Sequence, residues 1–203
     1  MVTKLLKRQR VTKPSEERFE DLMTSALTVF SKRGISMATI DEITDRAQVA
    51  KGTFYLYFKS KDYVVQALWK RHLDDFTSIV DNIANDQTLE PAQQVIKAFV
   101  ELTRNVLENA DLHRLVYGTA AAEALELCRL DDQKVIKTIT SIVRGGIKAK
   151  QLSCKNPDLV VSMLFHGICR SLHDVMMSKK PINKKMMLQT SEDIARSTFD
   201  IKN

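Results

Sequence analysis

Twenty-three residues, Thr39 to Lys61 (TIDEITDRAQVAKGTFYLYFKSK), leave this chain little freedom in how it folds there. Thr39 and Glu42 have the spacing of a capping box, in which each side chain satisfies a free amide at a helix start. Ile40, Ile43 and Ala47 then recur at helical spacing, so one face of the first helix is apolar. Gln48 and Val49 break the pattern, and a second helix starts near Ala50 or Lys51. On that helix Phe54 and Phe58 are four apart and share a core-directed face. Gly52, Thr53 and Leu56 fall on the opposite face, flanked by Tyr55 and Tyr57. Taken alone, Thr53 to Phe58 is a β-favouring run. No second such run with a hairpin signal exists to pair with it, so the segment reads as helix-turn-helix.

The outward face of the second helix suits a DNA groove. Gly52 lets the backbone come close to a phosphate or a base edge. Thr53 can hydrogen-bond a base or offer its methyl group to thymine. The hydroxyls of Tyr55 and Tyr57 can reach phosphate oxygens, and Lys51 and Lys61 bracket the helix as phosphate-neutralising cations. Charge agrees: residues 1–61 hold twelve Lys/Arg against seven Asp/Glu, and the remainder is nearly balanced. An excess of positive charge beside the motif is what a polyanionic partner requires. Before Glu16 there is no acid, while Lys4, Lys7, Arg8, Arg10 and Lys13 form a basic arm that either lies along DNA or is a solvated tail.

These residues resemble the N-terminal domain of TetR-family transcriptional regulators. The resemblance runs from Arg18 through Ala26, Phe30, Gly34, Thr39-Ile40, Ile43, Ala47-Gln48-Val49, Lys51 to Tyr55, Tyr57-Phe58 and Ser60-Lys61-Asp62, about the first third of the chain. It implies an all-α homodimer: an N-terminal three-helix helix-turn-helix DNA-binding domain, then a C-terminal helical ligand-binding and dimerisation domain. Mapped here, that is a basic flexible arm over 1–15, a DNA-binding domain over 16–60 and a helical ligand-binding and dimerisation domain over 61–203. It implies DNA contacts at Thr39, Lys51, Gly52, Thr53, Tyr55, Tyr57 and Lys61, a palindromic double-stranded operator, and repression relieved by a small-molecule ligand. Two positions depart from the family pattern. Ala50 stands where a serine commonly caps the recognition helix, which loosens that end by about 1 kcal/mol. Thr44 stands where a small alanine is common.

Elsewhere the pattern is helical throughout. A first helix is expected over Glu16–Arg33, capped by Ser15 and ended by Gly34. A long fourth helix, capped by Ser60, buries Val65, Leu68, Trp69, His72, Phe76, Ile79, Val80 and Ile83 and runs to about Ala84. After a linker at 85–90, helices are expected over Pro91–Asn109, Asp111–Cys128, Asp131–Ala149, Asn156–Met177 and Lys184–Phe199. An alanine-rich stretch, Ala120-Ala121-Ala122, is expected inside the second of these, and Gly145-Gly146 weakens the end of the third.

The helix from Asn156 is apolar over much of its circumference, so Leu164, Gly167, Ile168, Ser171 and Leu172, with Ile194 of the last helix, are expected at a dimer interface. A small apolar or amphipathic ligand is expected among Phe99, Leu102, His113, Tyr117, Ile139, Val143 and His166, with Glu123 and Phe165 nearby; each of these taken alone is more often ordinary core. No cofactor or metal motif is present. No phosphate loop, nucleophile elbow or His-Glu-x-x-His is found, and Asp74-Asp75 and Asp131-Asp132 read as solvated faces or helix starts, so an enzyme is not expected. Three cysteines without metal-type spacing suit reduced thiols. No run spans a bilayer and the N-terminus lacks a signal-peptide centre, so a bacterial cytoplasmic location is expected. Two other classes fit some features: a non-specific architectural DNA-binding protein, and a small-molecule-binding helical protein without a DNA role.

Overall fold

The computed structural model describes residues 14–119, 122–178, 181 and 183–201, with the backbone alone at 119, 122, 123, 127, 129 and 130. Among the described residues the elements are all helices: α1 (Ser15–Met37), α2 (Ile40–Ala47), α3 (Lys51–Tyr57), α4 (Lys61–Asn85), α5 (Pro91–Glu108), α6 (Ala110–Thr119), α7 (Ala122–Lys148), α8 (Pro157–Met177) and α9 (Lys184–Thr198). The basic arm of Lys4, Lys7, Arg8, Arg10 and Lys13 lies outside the described residues, as do Ala120 and Ala121.

Ser15 does not cap α1. It is the first helical residue, after Pro14, and Glu16 and Glu17 sit in the first turn where the helix dipole favours acids. Gly34 interrupts the helix at φ 74° and ψ 159°, and one further turn follows the kink. That backbone region is open to glycine almost alone. No atom lies within 4 Å of a Cβ placed at Gly34, so an alanine there meets conformational strain without a clash. Gly34→Ala is therefore expected to lower the unfolding free energy by about 1–3 kcal/mol; a urea midpoint equal to wild type would contradict this.

The capping box at Thr39 forms: Glu42 N–H donates to Thr39 Oγ1 at 3.2 Å, and Thr39 N–H donates to Glu42 Oε2 at 2.9 Å. Gln48, in the left-handed region at φ 56°, turns the chain out of α2. Thr44 is buried, yet its hydroxyl donates to the carbonyls of Ile40 and Asp41, so the departure from alanine leaves no orphan. At the head of α3, Ala50 provides no side-chain cap, as its chemistry dictates. A seven-residue helix is far too short to persist alone. It is held by Phe54 and Phe58, both buried, with Phe58 stacked on Phe19 of α1 at 5.3 Å between ring centroids.

Ser60 caps α4 through the Asp62 amide, and this helix packs chiefly on α7. Its buried stripe includes the expected residues except Ile79, which is 39% exposed because Val80, four residues on from Phe76, takes the core position, and it adds Val64, Leu73 and Thr77. Pro91 occupies the first turn of α5.

The expected division between Cys128 and Asp131 does not exist. α7 runs unbroken from Ala122 to Lys148. Asp132, read as part of a solvated helix start, is 4% exposed and accepts a hydrogen bond from Trp69 Nε1 at 3.0 Å. Gly146 does not end α7; its missing side chain makes room for Leu152, whose Cδ2 would lie 2.4 Å from an added Cβ. Asn183 caps α9 through the Met186 amide. α9 is tied to α5 by Phe199 stacked on Phe99 and by Ser191 Oγ donating to the Phe99 carbonyl at 2.9 Å. α1 packs on α6 as well as α2, so the first three helices contact the larger unit directly. None of the described helices is long and apolar enough to cross a membrane.

Candidate functional site

With Phe54 and Phe58 holding one side of α3, its opposite side faces outward. Lys51 and Gly52 are exposed, Thr53 is half-buried, and Tyr55 is 54% exposed. No atom lies within 4 Å of a Cβ placed at Gly52, so the backbone there is open to an approaching surface. Leu56 is 80% exposed, the highest value among the large exposed apolar side chains, and stands on the same side as Gly52 and Thr53. Leu56 was not among the expected contacts. Its position four residues after Gly52 was the available signal, and an apolar group there matches a thymine methyl.

Electrostatics in this region are local. Lys51 Nζ lies 2.9 Å from Asp41 Oδ1, and the hydrogen bond to that carboxylate pushes the ammonium pKa up. Glu42 is held below the usual carboxylate range by the hydrogen bond from the Thr39 amide and then the Thr39 hydroxyl. Thr39 is exposed, but its hydroxyl is engaged in the capping box, donating to Glu42 Oε2 at 3.0 Å.

Two expected contacts are occupied inside the protein. The Tyr57 hydroxyl donates to the Ser15 carbonyl at 3.0 Å and lies 2.8 Å from Ser15 Oγ, while its ring meets Phe19 edge-on at 5.9 Å. It pins α3 to the start of α1 instead of presenting a free hydroxyl to phosphate. Lys61 Nζ donates to the carbonyls of Ile35 at 2.7 Å, Ser36 at 3.1 Å and Ala38 at 2.7 Å. An ammonium has three protons, and here each has an acceptor.

In the larger unit, all four histidines of the chain converge, although they are far apart in sequence. His72 Nε2 of α4 and His113 Nε2 of α6 are 3.2 Å apart, both against the Trp69 ring. Tyr117 stacks on His113 and neighbours Trp69 and His173. His166 Nδ1 lies 3.9 Å from Asp132 Oδ2. Burial depresses His72 to about 4 and His113 to about 3, and it also lowers His173. It pushes the Cys128 thiol up to about 12 and raises Tyr117 and Cys169 further. At neutral pH the two facing imidazoles are therefore uncharged. Among the described residues, His113 Nδ1 and His173 Nδ1 are buried without a hydrogen-bond partner.

Of the expected ligand residues, His113, Tyr117 and His166 belong to this cluster. Phe99, Leu102, Ile139 and Val143 do not: all are 0–2% exposed and packed as closed core, with Phe99 against Phe199. At Glu123 only the backbone is described. Among the described residues no group of three or more His, Cys, Asp or Glu is placed to hold a metal.

The six residues expected at a dimer interface share one feature. Leu164, Gly167, Ile168, Ser171, Leu172 and Ile194 all line an apolar groove of about 420 Å³ along α8 and α9. Leu172 is itself 7% exposed and so forms part of the floor, whereas Met163 and Met186 stand exposed at the rim.

Residues 22–68 match the family model described as bacterial regulatory proteins, tetR family. The chain is 34% identical over 105 residues to the HTH-type transcriptional activator FasR of Mycolicibacterium smegmatis, covering 51% of this chain and 47% of FasR. It is 24% identical over 162 residues to the HTH-type transcriptional repressor KstR2 of the same organism, covering 77% and 76%. The first curated relatives are matched over less than half of their own length. Among solved structures, the transcriptional regulator FadR from Bacillus subtilis in complex with stearoyl-CoA superimposes with a TM-score of 0.77 at 16% identity, over 89% of this chain and 99% of that one. The last likeness carries the fold alone. Residues 22–68 carry the helix-turn-helix domain of the bacterial regulatory proteins of the tetR family.

Proposed function

We propose that this protein is a sequence-specific, double-stranded-DNA-binding transcriptional repressor that acts as a homodimer and leaves its operator when a small molecule binds. The observation that carries this reading is the exposed side of α3. Lys51, Gly52, Thr53, Tyr55 and Leu56 stand on a short helix whose opposite face is fully buried. In this reading Lys51 and Tyr55 meet phosphates, Thr53 and Leu56 meet base edges, and Gly52 allows close approach. Tyr57 and Lys61 hold the reading element in place, and Thr39 does so through its cap. Residues 16–60 form the DNA-reading unit, and 61–203 the regulatory one.

The effector reading rests on the imidazole and aromatic cluster. Neutral His113 with an unpartnered Nδ1, beside Trp69 and Tyr117, offers a polar anchor within aromatic walls. The stearoyl-CoA held by the Bacillus subtilis FadR supports a small-molecule effector in this fold. Self-association is assigned to the α8 and α9 face, whose apolar groove a second copy would cover.

A competition gel shift tests the function. The protein should prefer the duplex upstream of its own gene over random duplex by about 10³-fold or more. Equal affinity for both would replace this reading with non-specific binding. Substitutions then separate the roles. Lys51→Ala should weaken all sequences alike and reduce the slope of log affinity against log salt by about one. Thr53→Ala and Leu56→Ala should each change preference among base-substituted operators by about 1–3 kcal/mol. A uniform loss from all three would contradict the division.

A further inference from the structure

The lysines beside α3 are not equivalent. Lys51 is paired with Asp41, and Lys61 is engaged by three backbone carbonyls. Lys59, two residues past the end of α3, is exposed and has no acidic partner among the described residues. Its ammonium lies 5.6 Å from the centre of the Tyr63 ring. A ring face attracts a cation without a directed hydrogen bond, so the three N–H donors stay free for a phosphate. The same end of α3 fixes where the N-terminal segment leaves the domain. Tyr57, the last residue of α3, donates to the Ser15 carbonyl at 3.0 Å, so the chain before Ser15 starts beside that end. Residues 1–13 hold Lys4, Lys7, Arg8, Arg10 and Lys13 and no acid. At about 3.3–3.6 Å per residue, the chain from Ser15 spans up to about 18 Å to Arg10 and about 25 Å to Arg8. A minor groove is about 6 Å wide and is separated from the major groove by one phosphate backbone, so both arginines reach it. Arg8 and Arg10 are two apart, the spacing that puts side chains on one side of an extended segment, with Gln9 between them.

We infer that the C-terminal end of α3 is a second DNA-contacting surface, which reads the flank of each half-site: Lys59 meets the phosphate backbone bordering the major groove, and Arg8 and Arg10 enter the adjoining A·T-rich minor groove. The inference rests on α3 reading the major groove, as proposed above. A narrow A·T minor groove concentrates negative potential and takes up arginine side chains, and glutamine reads the same groove. Glu16 and Glu17, in the first turn of α1, stand at the root of the segment. Their charge opposes close contact of the root with phosphate, so the cations further along the segment make the contact. Lys59 takes the phosphate role expected of Lys61, whose ammonium has no proton left for it.

The test uses gel shifts with the full chain on the protein's own upstream duplex, trimmed to the guanine-N7-protected tracts or extended on each side by about half a helical turn of A·T or of G·C pairs. The A·T extension should bind about tenfold tighter than the trimmed duplex and about fivefold tighter than the G·C extension. Arg8→Ala combined with Arg10→Ala should erase the A·T preference and reduce the slope of log affinity against log salt by about two for each half-site. The same double substitution should leave preference among base changes inside the protected tracts unaltered. Lys59→Ala should weaken both extended duplexes by about fivefold, lower the salt slope by about one for each half-site and keep the A·T preference, with the thermal midpoint of wild type. Equal affinity for the A·T and G·C extensions, or an A·T preference that survives the double substitution, would overturn the minor-groove contact. A salt slope unchanged by Lys59→Ala would overturn the phosphate contact. Failure of the chain to prefer the trimmed duplex over random duplex would instead remove the reading of α3 itself.

Discussion

Lys61→Met is expected to lower the thermal midpoint by roughly 5–10 °C and to leave the salt dependence of DNA binding unchanged. The three carbonyls that Lys61 satisfies belong to Ile35, Ser36 and Ala38, in the turn between the kink at Gly34 and the start of α2. They stand at the C-terminal end of α1, where the helix carries partial negative charge and a cation is favoured. Hydrogen bonds from a charged donor contribute about 1.5–3 kcal/mol each in isolation, and water replaces part of that in the variant. A net loss of about 2–4 kcal/mol is therefore reasonable, and in a domain of this size each kcal/mol moves the midpoint by about 2–4 °C. Lys61 sits at the first turn of α4, so losing it also frees that helix start from the α1–α2 turn. DNA affinity should fall for every sequence through this loosening. The opposite pattern, an unchanged midpoint with a salt slope reduced by about one, would mean that Lys61 leaves its carbonyls and neutralises a phosphate.

Acidification from pH 6.5 to pH 5 is expected to cost about 2 kcal/mol of folding stability for each of His72 and His113. Burial holds the folded pKa values at about 4 and about 3, against 6.5 for the ordinary side chain. Between those values the unfolded chain binds more protons than the folded one, so stability falls as pH falls. The contribution is complete above pH 6.5 and is exhausted below the folded values. The two rings face one another at 3.2 Å, so protonating one removes an acceptor from the other. Asp75 favours the charged form of His72 but burial outweighs it, and His72 and His173 both oppose protonation of His113. Urea midpoints at pH 7, 6 and 5 would show the slope, and His113→Leu should roughly halve it, leaving the His72 part. Midpoints constant from pH 7 to pH 5 would show that these imidazoles are accessible to protons in the folded state.

Local signals survive well from sequence to structure. The capping box at Thr39, the Ser60 cap and the proline starts of α5 and α8 involve neighbours in the chain and form where expected, whereas Gly34, expected to end α1, kinks it and one more turn follows. Tertiary partners were not legible. Asp132 reads as a helix start until Trp69, 63 residues away, is seen to donate to it. Tyr57 and Lys61 have the chemistry of phosphate ligands, but Ser15 and the carbonyls after Gly34 are nearer. Ile79 and Val80 compete for one core position, and periodicity alone does not rank them. The histidine cluster assembles from α4, α6 and α8, and no spacing within a single helix announces it. Periodicity places Leu56 on the outward face, but no polar group marks its side chain as a contact.

Dimethyl sulfate footprinting on the protein's own upstream duplex tests most directly whether α3 enters the major groove. The reagent marks guanine N7 in the major groove and adenine N3 in the minor groove, which are distinct readouts of the two surfaces. Two tracts of N7 protection are predicted, their centres one helical turn of about 34 Å or more apart, both lost with Tyr55→Ala and Leu56→Ala combined. Protection confined to adenine N3, or N7 protection that survives the double substitution, would contradict it.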